Sequence, residues 1–137
     1  MRYLAIFAIL LFAIPALATD WHKADSGQYA WDQPAQLADG TPLPTVTGWV
    51  YEVYTRDHPT GVIETVGTVT AENGTVTIPA GSKIWVGVAA AYVDADGVQS
   101  DFSTVAWSDE PLDCLDQTTF GFHNLKSSDK PTGLRKQ

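Results

Sequence analysis

The sequence predicts an all-β chain, a seven-stranded sandwich with a disordered polar tail. Three observations predict it. Apolar residues recur with period two from Gln28 to Trp107, no stretch holds a helical period for three turns, and clusters of Gly, Pro, Asn and Asp separate the alternating runs. Short strands at such regular spacing are the pattern of a sandwich rather than of a parallel sheet with crossover helices.

Before the first strand, Arg2 precedes the apolar run LAIFAILLFAIPALA, which ends in Ala16-Leu17-Ala18. This is the form of a secretory signal peptide over residues 1–18, with cleavage after Ala18. The run is shorter than the roughly 20 residues a spanning helix needs, and Pro15 interrupts it. Cleavage would leave no stable membrane anchor and place the chain outside the cell or in the periplasm, or on a cell or virion surface. Thr19 stands where a lipoprotein would need cysteine.

An irregular first strand is expected near 21–26 and a second over 28–33. QPAQLADGTPLPTVTG, with three prolines and two glycines, cannot supply a continuous ladder and reads as the long loop before a third strand at 48–56. RDHPTG turns the chain into a strand at 61–70, where the alternation slips at Gly67 and predicts a β-bulge. ENGT carries the Asn-Gly pair of a two-residue hairpin turn before a strand at 74–79. The clearest strand spans 83–93, with Ile84, Val86, Val88, Ala90 and Tyr92 on one face and Trp85, Gly87, Ala89 and Ala91 on the other. Both faces are largely apolar, as in a central strand, and the small residues of the second face leave room for a neighbouring side chain to cross. A last strand is expected over 101–107. The expected organisation is a signal peptide at 1–18, one sandwich domain at 19–110 and a tail at 111–137.

The ordered sequence YAWDQPAQLADGTPLPTVTGWVYEVYTR, followed by GTVTIPAGSKIWVGVAAAYVDADGVQSDFSTVAWS, resembles a fibronectin type III domain, an immunoglobulin-like sandwich, over about 85 residues. Trp31 and Pro34 look like that family's second-strand tryptophan and following proline. Tyr51-Glu52-Val53-Tyr54 looks like its third strand, with Trp49 as the aromatic in a register two residues earlier. AYVDADGVQSDFS is similar to its sixth-strand end, loop and seventh-strand start. The family's tyrosine at the start of the sixth strand has no counterpart, since Ile84, Trp85 or Val86 stands there, and there is no Arg-Gly-Asp triplet. The resemblance implies a module that binds, spaces or displays, without a catalytic activity or a cofactor.

The formal net charge is −8, unevenly spread. From Thr19 to Gly121 the only bases are Lys23, Arg56 and Lys83 among many acids, whereas Phe122 to Gln137 sets Lys126, Lys130, Arg135 and Lys136 against Asp129. An acidic body repels phosphate backbones, so nucleic acid is not an expected partner. The tail is polar and lacks an apolar period, hence the expectation of disorder.

VDADGVQSDFS reads as a calcium loop or as a tight turn. A loop of the EF-hand kind with Gly97 at its sixth position would have Asp94 and Asp96 in place but Tyr92 first and Ser103 last, so the turn is expected. Asp94, Asp96 and Asp101 remain weak metal candidates. Glu52 and Glu64 sit on adjacent expected strands as a carboxylate pair of the kind glycosidases use. Five tryptophans are many for 137 residues, and Trp21, Tyr54 and Trp85 are the candidates for exposure, suited to a protein partner or to a glycan-binding accessory role. For Trp85 the favoured reading is a lid on the sheet. Thr65 to Thr70 is a lightly charged stretch on which another chain could add a strand. Cys114, the only cysteine, has no partner for an internal disulfide and is a candidate intermolecular thiol. The functional expectation is an exported, non-catalytic binding or structural module that self-associates or docks into an extracellular or surface assembly, with glycan binding as the alternative.

Overall fold

The computed structural model describes residues 19–110, 119–127, 132, 135 and 136. The signal peptide assigned to residues 1–18 and Cys114 lie outside the described residues. Those described form eight strands and no helix: β1 (Thr19–Lys23), β2 (Ser26–Ala30), β3 (Val46–Arg56), β4 (Glu64–Val69), β5 (Asn73–Thr77), β6 (Lys83–Asp94), β7 (Ala106–Trp107) and β8 (Thr119–His123). The larger sheet has the order β1-β8-β6-β3-β4, with β7 also pairing β6; β2 and β5 form the smaller one. All pairs are antiparallel except β1 with β8. The chain is all-β, as its alternation predicts.

Two expectations are corrected. The segment 111–137, expected to be a disordered tail, contributes β8, which lies between β1 and β6. TFGFH is too short to register as a period, yet its two phenylalanines share one face. Phe122 is buried in the core with Val76, Ile78, Ile84 and Val86, and Phe120 packs against the same cluster. The Asn-Gly pair is likewise not a hairpin turn. β4 and β5 belong to different sheets, and Asn73-Gly74 opens β5 opposite Ala30 and Tyr29. Gly74 is needed there because a Cβ would stand 2.9 Å from the Tyr29 hydroxyl.

The expected bulge is present. Val53 opposes Gly67 while Tyr54 opposes Thr65, so Val66 is the extra residue on β4. The crossing over small residues is present too. A Cβ on Gly87 would lie 2.7 Å from the Trp107 ring, and one on Gly121 would lie 2.5 Å from the ring of Trp21. These glycines let two indoles lie across the outer face of the larger sheet.

β7 is shorter than the 101–107 expected, for a reason visible in its serines. The residues that reach the β6 edge are Ser100, Ser103, Ala106 and Ser108, opposite Tyr92, Ala90, Val88 and Val86. β6 advances by two at each step, while its partner advances by three, three and two. The surplus residues break the regular ladder, and hydroxyls replace the lost carbonyls. Ser100 N–H donates to the Tyr92 carbonyl at 2.9 Å, and Tyr92 N–H donates back to Ser100 Oγ at 3.1 Å. The same exchange joins Ser103 to Ala90, at 2.9 and 3.1 Å, and Ser108 to Val86, at 2.8 and 3.0 Å. Every one of these β6 groups thus keeps a partner, as buried backbone requires.

Ser108→Ala removes the acceptor of the Val86 amide, within the core. It is expected to destabilise the protein by about 1–3 kcal/mol in urea unfolding, with Ser108→Thr recovering most of the loss. An unchanged midpoint in Ser108→Ala would contradict the role given to the hydroxyl.

Candidate functional site

The outer face of the larger sheet gathers the three exposure candidates and buries the best of them. Trp85 is 8% exposed, the lid rather than the free contact. Trp21 lies over Gly121 with its ring centroid 5.0 Å from that of Trp85, and Tyr54 lies 6.4 Å from Trp107. Trp21 and Tyr54 are half-buried. Lys83 Nζ stands 5.3 Å from the Trp21 centroid and 6.0 Å from that of Trp85. Arg56, also 8% exposed, lies over Trp107 at 4.0 Å and donates through Nη2 to both Asp109 carboxylate oxygens, at 2.8 and 2.9 Å. A buried charge held this way ties the end of β3 to the chain beyond β7. These contacts make the face a packed layer in which Trp85 and Trp107 are buried and Trp21 and Tyr54 keep part of their surface.

The 93–103 stretch is a tight turn. Asp94 Oδ1 accepts the amides of Asp96 and Val98, both at 2.9 Å, and Asp94 N–H donates to the Val98 carbonyl. Gly97 has φ +79°, the left-handed conformation that the turn requires. The carboxylate of Asp94 is therefore engaged by its own loop, and among the described residues no three histidine, cysteine or acidic side chains converge on Asp94, Asp96 and Asp101 or anywhere else. Glu52 opposes Thr68 and Ala89, and Glu64 opposes Thr55. Glu52 and Thr55 differ in parity along β3, which directs the two carboxylates to opposite faces of the sheet.

The open side of the molecule lies elsewhere, along β4. This strand closes the larger sheet as an edge. Beside it, Val62 is 80% exposed, Ile63 52% and Val66 49%. Pairing starts only at Glu64, not at residue 61 as expected, so Val62 and Ile63 are held by no ladder. A cavity of about 760 Å³ opens between β4 and the start of β6, lined by Val62, Val66, Thr75, Val76, Pro79 and Ile84. A second of about 180 Å³ continues it along β4 and shares Val66 and Thr75. Together they form a groove between the edges of two sheets, with core residues Val76 and Ile84 in its wall.

A further cleft, of about 570 Å³, lies where β3 begins. Its walls are Trp49, Pro34, Pro44, Gln33, Thr70 and Glu72. Gln33 Nε2 donates to Glu72 Oε1 at 2.5 Å, which holds the Glu72 carboxyl below its usual range. Of Trp49 and Tyr51, the two aromatic residues the sequence offers for the core at this strand, Tyr51 is the buried one, and Trp49 is left half-buried beside a proline-rich loop that no sheet covers.

No protein-family model and no curated protein matches this chain.

Burial pushes the phenols of Tyr29 and Tyr51 up to about 12, and at Tyr51 the Glu72 carboxylate adds to the effect. Their ordinary value is 10.0, so an unfolded chain loses these protons first. The contribution to stability is complete below about pH 10 and is lost as the pH rises towards 12. In an alkaline titration the last tyrosinate absorbance is expected to appear together with loss of the near-ultraviolet circular dichroism. Full ionisation near pH 10 with the tertiary signal intact would contradict this burial.

Proposed function

We propose that this chain is an exported, non-catalytic module of the fibronectin type III kind that enters an extracellular or surface assembly by adding a partner strand to β4, a second copy of the chain being the first such partner. The observation that carries this reading is the state of the β4 edge. Natural edge strands are blunted by lysines, prolines, bulges or covering segments. β4 carries a bulge at Val66 but no lysine or proline, and three large apolar side chains stand exposed on it and the residues just before it. From Val62 to Ala71 the only charge is Glu64, on a body otherwise crowded with acids. This is therefore where two acidic copies approach with least repulsion.

Other features support the wider reading. β2 with β5, β3 with β6 and β6 with β7 are the pairings that the B, E, C, F and G strands make in immunoglobulin-like sandwiches. Trp31 and Tyr51, the aromatic positions of the resemblance, meet edge-on between the two sheets at 5.2 Å. The sequence before Thr19 supports export.

Sedimentation velocity of the chain beginning at Thr19, over a wide concentration range, is expected to show reversible association. Val66→Lys places a charge on the edge and should weaken that association at least about tenfold with unchanged circular dichroism. A monomer at every concentration, or equal association in the variant, would overturn pairing through β4.

A further inference from the structure

The cleft at the start of β3 has no part in that edge and carries an inference of its own. Three observations meet there. Trp49 is half-buried and held in place, parallel to Tyr51 at 6.2 Å and 10° and edge-on to Tyr92 at 6.4 Å and 74°. Its ring bounds the cleft beside two proline rings. Gln33 and Glu72 fix each other on the rim, and Tyr51 hydroxyl also donates to Glu72 Oε1, at 3.4 Å. The backbone of Glu72 is held in turn, its carbonyl accepting Trp31 N–H at 3.1 Å.

We propose that the Trp49 cleft is a binding site for a neutral saccharide. The chemistry of the walls selects that class. Trp49, Pro34 and Pro44 present flat apolar surface, to which a sugar ring offers its C–H face. Gln33, Glu72 and Thr70 surround that surface with hydroxyl and carboxylate acceptors and with an amide, and such groups pair with hydroxyls on the rim of the same ring. Glu72 is the sole charged residue among the walls, so an anionic ligand is repelled and a cationic one has a single carboxylate to meet. The volume falls within the range of small-molecule sites, and prolines and mutual hydrogen bonds reduce the ordering that binding would require. The aromatic residues of the outer face are not part of this site.

The test is an NMR titration of the full exported chain with a panel of soluble neutral oligosaccharides, of the gluco-, manno-, galacto- and xylo- series. It follows the Trp49 indole N–H and the Gln33 side-chain amide. At least one series is expected to shift both signals, and the affinity should not change with salt, because the ligand carries no charge. Trp49→Leu removes the flat ring from the cleft and should abolish the shift of the Gln33 amide. Glu72→Gln, which keeps the shape of the side chain, should weaken binding at least about threefold, and Glu72→Ala about tenfold. The proposal is overturned if no series moves these signals, if Trp49→Leu binds as well as wild type, or if a proline-rich peptide moves them where saccharides do not. Because Glu72→Gln leaves β4 untouched, association through the edge strand should persist in it.

Discussion

The backbone of β6 is the constraint on which the rest of the structure depends. Its two faces are both apolar and both covered, so its amides and carbonyls must be satisfied by neighbouring chain on both edges along their length. β3 meets one edge from Arg56 back to Val46. The other edge has no single strand to match it. It is met in succession by the loop after Asp94, the serine-bearing segment around β7, and β8. Three hydroxyls make that piecemeal edge complete. The position of β8 follows from the same demand, since Ile84 and Lys83 pair with Phe122 and His123 after β7 has ended.

The outer face shows how a small protein covers a sheet without a second layer of strands. Gly121 and Gly87 remove side chains beneath Trp21 and Trp107, and Trp85 comes within 5.0 Å of Trp21. Arg56 spreads its guanidinium over Trp107 and anchors it to Asp109. Apolar area is buried in this way, and among the described residues the one buried cation, Arg56, is matched by a carboxylate whose side chain is 6% exposed. On that face Trp85 and Trp107 are buried while Trp21 and Tyr54 stay half-buried, and clefts open at the β4 edge and at the start of β3.

Where the signal was local and periodic, the sequence was legible. The alternation of 83–93 located β6 and named both its faces, the slip at Gly67 located the bulge, and Asp94 with Gly97 identified the turn. What it hid was non-local. Phe120 and Phe122 matter because β8 returns to the far edge of β6, which no five-residue pattern announces. Asn73-Gly74 has the chemistry of a hairpin turn, but β4 and β5 part into different sheets and the pair is drawn into β5 against Tyr29. How far Trp21 and Trp49 are covered was hidden for the same reason. Burial of an indole depends on the glycine of a neighbouring strand or on a loop that fails to cover it, and neither is written next to the tryptophan.

The edge of β4 and the protected edge of β6 are opposite solutions to one problem, because unpaired strand backbone invites another chain. Three serines close the one; on the other, the exposed Val62 and Val66 leave apolar surface beside an edge that a bulge interrupts. The most direct measurement is residue-resolved amide hydrogen exchange, on dilute and on concentrated protein. In dilute protein, alternate amides of β4 should exchange fast while those of Val86, Ala90 and Tyr92 stay protected, and concentration should slow the β4 amides alone. Protection of all β4 amides at every dilution, or fast exchange in concentrated protein, would contradict an edge that is open in the monomer and paired in the assembly.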